Sequence, residues 1–342
     1  MKRLNLLGKT VSDFEDIMRS LGEKPYRGRQ VFKWLYRDMQ SDFNLMSNLA
    51  MTLRRRLDER YEFIGLHPTR HAVSSDDTEK FLFRLDDGAL IETVLIPEGD
   101  KRTVCISSQA GCALGCAFCA TGKMGFTRNL TAGEIVGQLL YLRSRDGQEA
   151  FHNIVFMGMG EPLLNYDEMV RAVDIISSEI GLSVSAKKIT VSTVGVVPGI
   201  YRLADSGLKV NLAISLHVAD EEKRKKIIPI AKKYGIKELT EAVRYFARKR
   251  RKRVTFEYVL MGGFNDAQND ALMLARMITG IPCKINLIAY NPVPGLPYRR
   301  PTDDEVDRFA QWLYPRAPAV TVRKSRGMDI EAACGQLAGK YV

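Results

Sequence analysis

The sequence predicts an α/β fold: an incomplete (β/α)6 barrel preceded by a small N-terminal helical domain and a β-hairpin linker. Three observations carry that prediction. Residues 1–65 hold mainly helical periodicity, two apolar strands then flank Asp87-Gly88, and from residue 101 β-rich apolar runs alternate with helix-patterned stretches. The 342 residues divide accordingly into a helical accessory domain (1–65), a hairpin linker (66–100) and a main domain (101–342).

Each element has its own signal. In VSDFEDIMRSLG, residues Val11, Phe14, Ile17, Met18 and Leu21 recur on one helix face, and Gly22 ends the run. RGRQVFKWLYRDM repeats the pattern with Val31, Phe32, Trp34 and Leu35, leaving Arg27, Arg29, Lys33 and Arg37 on other positions. KFLFRLDDGALIETVLIP reads as a hairpin because Asp-Gly suits the positive φ of a tight turn. Barrel strands are expected at 153–159, 188–193, 209–216, 253–260, 283–290 and 319–324, with helices such as AGEIVGQLLYLRS and DEMVRAVDIISSEI between them. Strands separated by helices imply parallel pairing. Six of them suit an open barrel better than a closed eightfold one, with any site at the C-terminal strand ends.

Composition narrows the class. Hydrophobic residues make up 45%, enough for a sizeable core, and no apolar run is long enough to span a bilayer. MKRLNLLGKT lacks both an apolar core and a small-residue cleavage site, so a cytoplasmic protein without a membrane partner is expected. Lys and Arg number 51 against 40 Asp and Glu, a formal charge of +11. The excess concentrates between Glu221 and Arg253, with 14 basic against 4 acidic residues, densest in Lys223 to Lys226 and Arg248 to Arg253. Residues 1–60 carry 13 basic and 8 acidic side chains. Such segments are either solvated faces or surfaces for a polyanion; an RNA-binding role is the functional expectation for the accessory domain.

Three of the six cysteines form Cys112-x-x-x-Cys116-x-x-Cys119 in a glycine-rich loop. Thiolates are soft ligands, suited to zinc or to iron–sulfur clusters. A structural zinc site or a ferredoxin cluster takes four protein ligands, whereas three leave one iron of a [4Fe–4S] cluster open, as a catalytic metal requires. Zinc completed by Cys105 or His152 is the competing assignment. Phe118, next to the last cysteine, is placed to shield a cluster. The spacing resembles that of the radical S-adenosylmethionine (SAM) superfamily, whose fold is an incomplete barrel. That resemblance implies an open iron binding the amino and carboxylate groups of SAM, and reductive cleavage of SAM to a 5′-deoxyadenosyl radical. It also implies an electron donor such as flavodoxin or ferredoxin.

Further stretches resemble the RlmN/Cfr class of radical SAM enzymes, which methylate adenine in large-subunit ribosomal RNA: GCALGCAFCATGKMGFTRNLTAGEI, FMGMGEPLLNYD, STVGVVPGI, SLHVAD, LIAYNPVPG and SRGMDIEAACGQLAG. The likeness runs from PYRGRQVFKWLY to the C-terminus. It implies that Cys334 accepts a methyl group from one SAM, and that this methyl group is activated by a second SAM and added to the adenine. Cys105 would help remove the ring proton and release product by a disulfide with Cys334, and Glu92 would be the proton acceptor. Gly160, Glu161, Ser192, Ser215, Leu216, His217 and Asn291 match SAM contacts. Cys283 has no implied role and is expected in the core. GMGEPLLN and GFTRNLT resemble the branch that methylates C2, with Cfr-type C8 methylation as the alternative. The C2 branch implies two substrates, 23S rRNA before full subunit assembly and a tRNA anticodon-loop adenine, each splayed from its helix. A monomer is expected.

Overall fold

A computed structural model describes residues 3–339; the first two residues of the helical domain and the last three of the main domain lie outside the described residues. The helical module holds α1 (Val11–Ser20), α2 (Tyr26–Tyr36) and α3 (Met51–Arg60), and β1 (Leu4–Asn5) pairs with β2 (Tyr61–Glu62) across its ends. Thr10 starts α1 through a capping box with Asp13, satisfying two N–H groups at the helix start. Phe14, Phe32 and Tyr36 are fully buried and pack edge to face or tilted, at 5.8 Å for Phe14–Phe32 and 4.6 Å for Phe32–Tyr36. Part of the module's positive charge is internal: Arg54 donates to the carbonyls of Asn44, Ser47 and Leu49. Asp13 pairs with Arg171 of the main domain, which fixes α1 against the barrel.

The hairpin segment forms β3 (Pro68–Val73), β4 (Glu79–Arg84) and β5 (Leu90–Glu98), an antiparallel meander whose β4–β5 turn carries Gly88 at φ +85°. It is continuous with the main sheet, because β5 pairs with β6 (Lys101–Cys105). After β6 come the short antiparallel pair β7 (Gln109–Gly111) and β8 (Phe126–Asn129). Then follow β9 (Asn153–Phe156), β10 (Ile189–Thr193), β11 (Asn211–Ser215), β12 (Val254–Leu260), β13 (Cys283–Ala289) and β14 (Val320–Arg323). β6 and β9 to β14 are parallel neighbours in sequence order, with β14 and β3 as the free edges of a ten-stranded open sheet.

All six expected barrel strands are present. β6 is an additional parallel strand, missed because it begins Lys-Arg-Thr and presents only two buried residues. Helices α5 (Ala132–Asp146), α6 (Tyr166–Ser177), α7 (Val197–Asp205), α9 (Ile236–Arg250), α10 (Gln268–Ile278) and α11 (Asp303–Leu313) cross between successive strands, giving six βα units closed by β14. The short α4 (Ala120–Met124) and α8 (Glu221–Ile227) lie in the loops above the strands. Every residue of β12 is buried, as a parallel strand covered on both faces should be. Cys283 is buried in β13, in agreement with its expected core position. Among the described residues no helix is long and apolar enough to cross a membrane.

The basic stretch 221–253 is less free than its composition suggests. Arg224 is wholly buried and donates to the carbonyls of Val194 and Leu216. Lys223 binds Asp270 at 2.7 Å, while Arg250 and Lys252 bond carbonyls of the 207–210 segment. These four charges belong to the fold.

Candidate active site

Two adjoining cavities open at the C-terminal ends of the parallel strands. The larger, about 940 Å³, is walled by Cys112, Cys116 and Cys119 on one side and by Glu161, Ser192, Ser215 and His217 on the other. The second is lined by Cys105, Asn291 and Arg323. Cys334 lines both, so its exposed surface is cavity wall.

The cysteine loop is held by backbone. β7 and β8 bracket it, and Cys112 N–H donates to the Gly125 carbonyl at 2.8 Å. Gly111 sits at φ +74°, and a Cβ there would collide with that same carbonyl oxygen. Ala117 N–H reaches the Ile227 carbonyl at 2.9 Å, tying the loop to α8. Burial pushes the Cys112 thiol up to about 11, and burial together with its neighbours Cys119 and Cys112 raises the Cys116 thiol as well. Holding these groups as thiolates therefore requires a positive centre between them. Among the described residues no group of three Cys, His, Asp or Glu side chains is drawn together tightly enough for a single metal ion; the three thiols edge a cavity instead. Three thiols on one cavity wall are the donor set for a [4Fe–4S] cluster with one iron left open. Of the partners of the zinc alternative, His152 is engaged elsewhere: its Nδ1 accepts from Arg102 N–H and its Nε2 faces Glu149 at 3.3 Å.

Opposite the thiols, Gly160 turns the chain after β9 at φ +97°, packed so closely on Gln109 that a Cβ has no room. Glu161 follows, buried, with Oε1 accepting from Leu163 N–H and Oε2 from Val194 N–H at 3.0 Å. Burial lifts its carboxyl to about 7. The Ser192 and Ser215 hydroxyls are 3.3 Å apart on adjacent strands. His217 holds a left-handed backbone, φ +57°, its carbonyl fixed by the Asn265 side chain at 2.7 Å. Its Nδ1 accepts from Val259 N–H, which leaves Nε2 to carry the proton, and burial lowers its pKa to about 3, so the ring is neutral. Phe118 packs edge-on against it at 4.8 Å, between the cysteine loop and the barrel wall.

Three predicted residues stand differently. Leu216 is buried and lines neither cavity; its backbone bonds the Glu257 carbonyl and Arg224. Asn291 is in the second cavity, where its Nδ2 donates to the Cys334 carbonyl at 3.2 Å. Glu92 is buried behind the walls: Oε2 accepts from Ala338 N–H at 3.0 Å, and Oε1 faces Lys80 at 3.5 Å. Burial raises its pKa, with Lys80 opposing. Ala120 N–H, just past the last cluster cysteine, donates to the Gly335 carbonyl at 2.7 Å. The Cys334 turn is thus tied to the cysteine loop, to the end of β13 and to β5. Sequence reasoning missed Glu257 of β12 and Arg323 of β14, both on cavity walls. A carboxylate inside the mainly apolar strand run VTFEYVL was a readable signal for Glu257.

A three-thiol loop at the C-terminal face of an open parallel barrel defines a radical SAM enzyme, and residues 106–275 match the Radical SAM superfamily model. Residues 4–63 match the ribosomal RNA large subunit methyltransferase N-terminal domain. The dual-specificity RNA methyltransferase RlmN of Geobacter sulfurreducens is 47% identical over 98% of this chain and 92% of its own length. That of Lawsonia intracellularis is 46% identical over 99% and 98%. The crystal structure of a radical SAM methyltransferase from Sphaerobacter thermophilus superposes with a TM-score of 0.92 and 45% identity, covering 98% of this chain and all of that one. The chain belongs to the RlmN family of radical SAM RNA methyltransferases, whose cofactors are a [4Fe–4S] cluster and SAM.

Proposed function

We propose that the protein methylates C2 of an adenine in 23S rRNA, and of an anticodon-loop adenine in tRNA, with Cys334 as methyl carrier. The observation that carries this reading is the position of Cys334 at the junction of two cavities, one walled by the three loop thiols and the other by Cys105. A group that accepts a methyl in one chamber and delivers it in the other needs that position.

Cys112, Cys116 and Cys119 would hold the [4Fe–4S] cluster, which would supply the electron for reductive cleavage of SAM. The chain supplies the rest. Gly160, Glu161, Ser192, Ser215 and neutral His217 line the wall facing the thiols. Cys105, buried at the end of β6, is the thiol that closes on Cys334 to release product. Glu92 acts as proton acceptor once the 327–339 segment, which it holds through Ala338, shifts. Burial makes its carboxylate a better base than a solvated one. The target adenine must leave its stack to reach Cys334, so rRNA is met before full assembly. We assign a cytoplasmic location, a monomer, and a flavodoxin- or ferredoxin-type electron donor to the same reading.

The test is anaerobic incubation with SAM, a reductant and rRNA or tRNA fragments, followed by mass analysis of the nucleosides. 2-Methyladenosine is the expected product, lost in Cys334→Ala; 8-methyladenosine, or transfer that survives Cys334→Ala, overturns the proposal.

A further inference from the structure

The outer side of the cysteine loop is thin and open. Ala113 and Gly115 are exposed, Ala117 is half-buried, and none of the three lines either cavity. Gly115 holds φ +60°, and a Cβ built there would meet nothing within 4 Å. Small residues with nothing packed over them leave the loop backbone reachable from outside. The same loop is fastened to α8, where Ala117 N–H donates to the Ile227 carbonyl at 2.9 Å. Cys116 and Phe118 also share an apolar cluster with Ile227, Ile228 and Ala231. A single packed layer thus joins the thiol loop to the surface of residues 225–237. That surface is positive: KKIIPIAKKYGIK holds five lysines and no acidic residue. Lys225 is taken by Glu222 at 2.9 Å. Lys226, Lys232, Lys233 and Lys237 are exposed, and among the described residues none of them forms an ion pair or a side-chain hydrogen bond. Between them Pro229 is exposed and Ile230 half-buried, so the patch has an apolar centre and a charged rim, the anatomy of a protein interface.

We infer that the outer cysteine loop and the lysines of residues 225–237 form the docking face for a small acidic one-electron carrier protein. This rests on the assignment of a flavodoxin- or ferredoxin-type donor in the proposed function. Electron transfer needs a short path but no open channel, and the uncovered loop backbone offers that path. The carrier is oxidised by one electron, and the cluster held by Cys112, Cys116 and Cys119 is reduced by the same electron. Flavodoxins and ferredoxins are acidic proteins, so the unpaired lysines complement them in charge. A carrier must also leave after each transfer. Exposed rim charges speed the encounter while adding little affinity, and electron-transfer contacts are correspondingly small and weak. RNA is the other polyanion, and this face suits it less. The target nucleotide has to reach Cys334, and the cavity beside Cys334 has cations of its own in Arg323, Lys324 and Arg326. No residue from 225 to 237 lines either cavity.

The test uses the cluster-reconstituted holoenzyme, with flavodoxin as the carrier. One variant combines Lys226→Glu, Lys232→Glu and Lys233→Glu; Arg29→Glu with Lys33→Glu, on the helical module, is the charge control. Flavodoxin affinity, titrated at low and at moderate salt, should fall about tenfold in the triple variant, as three exposed charge pairs would sum, and stay unchanged in the control. Stopped-flow reduction of the cluster by flavodoxin hydroquinone should slow by a similar factor, while reduction by dithionite keeps its rate. The dithionite reaction and the cluster's visible absorbance report that the variant is folded. Equal flavodoxin binding by wild type and triple variant, or an equal loss in the control, overturns the inference and leaves the donor class standing. A wild-type affinity indifferent to salt overturns it even if the triple variant fails to hold its cluster. A wild-type holoenzyme that dithionite reduces, but that neither flavodoxin nor ferredoxin binds or reduces, removes the donor class as well. Weaker RNA binding in the triple variant with flavodoxin binding intact assigns the lysines to phosphates and overturns the inference too.

Discussion

Asn291 and Cys334 are joined by a hydrogen bond from the side-chain amide of one to the backbone carbonyl of the other, at 3.2 Å. Asn291 Oδ1 in turn accepts from Arg300 at 2.9 Å, so the amide cannot rotate without breaking both bonds. The end of β13 thereby sets where the Cys334 turn sits between the two cavities.

Asn291→Ala should accordingly act on turnover more than on cofactor affinity. We expect methyl transfer to fall by about 10- to 100-fold, as for a misplaced reacting group, with SAM binding changed by about twofold or less. Single-turnover kinetics and equilibrium binding separate the two effects. A loss of SAM affinity as large as the loss of rate returns Asn291 to direct SAM contact.

Arg224 illustrates charge that belongs to the fold. Its guanidinium is fully buried, bridging the segments after β10 and β11 that carry the Ser192 and His217 walls. Arg224→Ala takes the guanidinium from the Val194 carbonyl and leaves a void, while the Leu216 carbonyl keeps its bond from Val218 N–H; the cost is about 3 kcal/mol, readable as a lower urea midpoint. The dependence of RNA affinity on salt should keep its slope, because a buried guanidinium pairs with no phosphate. A slope reduced by about one unit identifies Arg224 as a phosphate contact instead.

Legibility in the sequence followed how local each signal was. The barrel strands and the thiol loop could be read because period, turn residues and ligand spacing are written within a few residues of one another. β6 was hidden by its charged first half, and the meander's continuity with the barrel depends on β5–β6 pairing that no local pattern states. The roles of Cys105, Cys334 and Glu92 came from resemblance, since their meeting spans more than two hundred residues. Composition placed Arg224 in a solvated run, and only tertiary packing reveals it as a buried strut.

Glu161 makes stability depend on pH in a direction opposite to a surface carboxylate. Burial raises its pKa from 4.5 to about 7, ahead of the bonds from Val194 and Leu163 that oppose the rise. The folded chain therefore binds this proton more tightly than the unfolded chain. Its contribution is fully present below about pH 4.5 and is lost as pH rises through about 7. In the cluster-free protein, Glu161→Gln should gain on the wild type by on the order of 3 kcal/mol between those limits. Denaturant unfolding of both proteins at several pH values measures the drift. A constant difference, or one of opposite sign, refutes the assignment.

Cys334 and Cys105 should be slow nucleophiles in the cluster-free chain, although Cys334 has surface open to the cavities. Burial raises both thiols; Cys334 adds to the rise at Cys105, and Arg323 opposes it at both. Iodoacetamide should thus modify Cys334 more slowly than a free cysteine at pH 8, and Cys105 more slowly still, with both rates climbing into alkaline pH. Arg323→Ala removes the opposing charge and should slow Cys334 by about threefold; Glu257→Gln removes a charge of the other sign and should speed it. Peptide mass spectrometry over a time course gives each rate separately. Cys334 reacting as fast as free cysteine, or indifferent to both substitutions, would show that its surroundings do not hold the thiol protonated. A protonated thiol at rest is what a carrier needs if it is to stay unmodified until a methyl donor occupies the adjoining cavity.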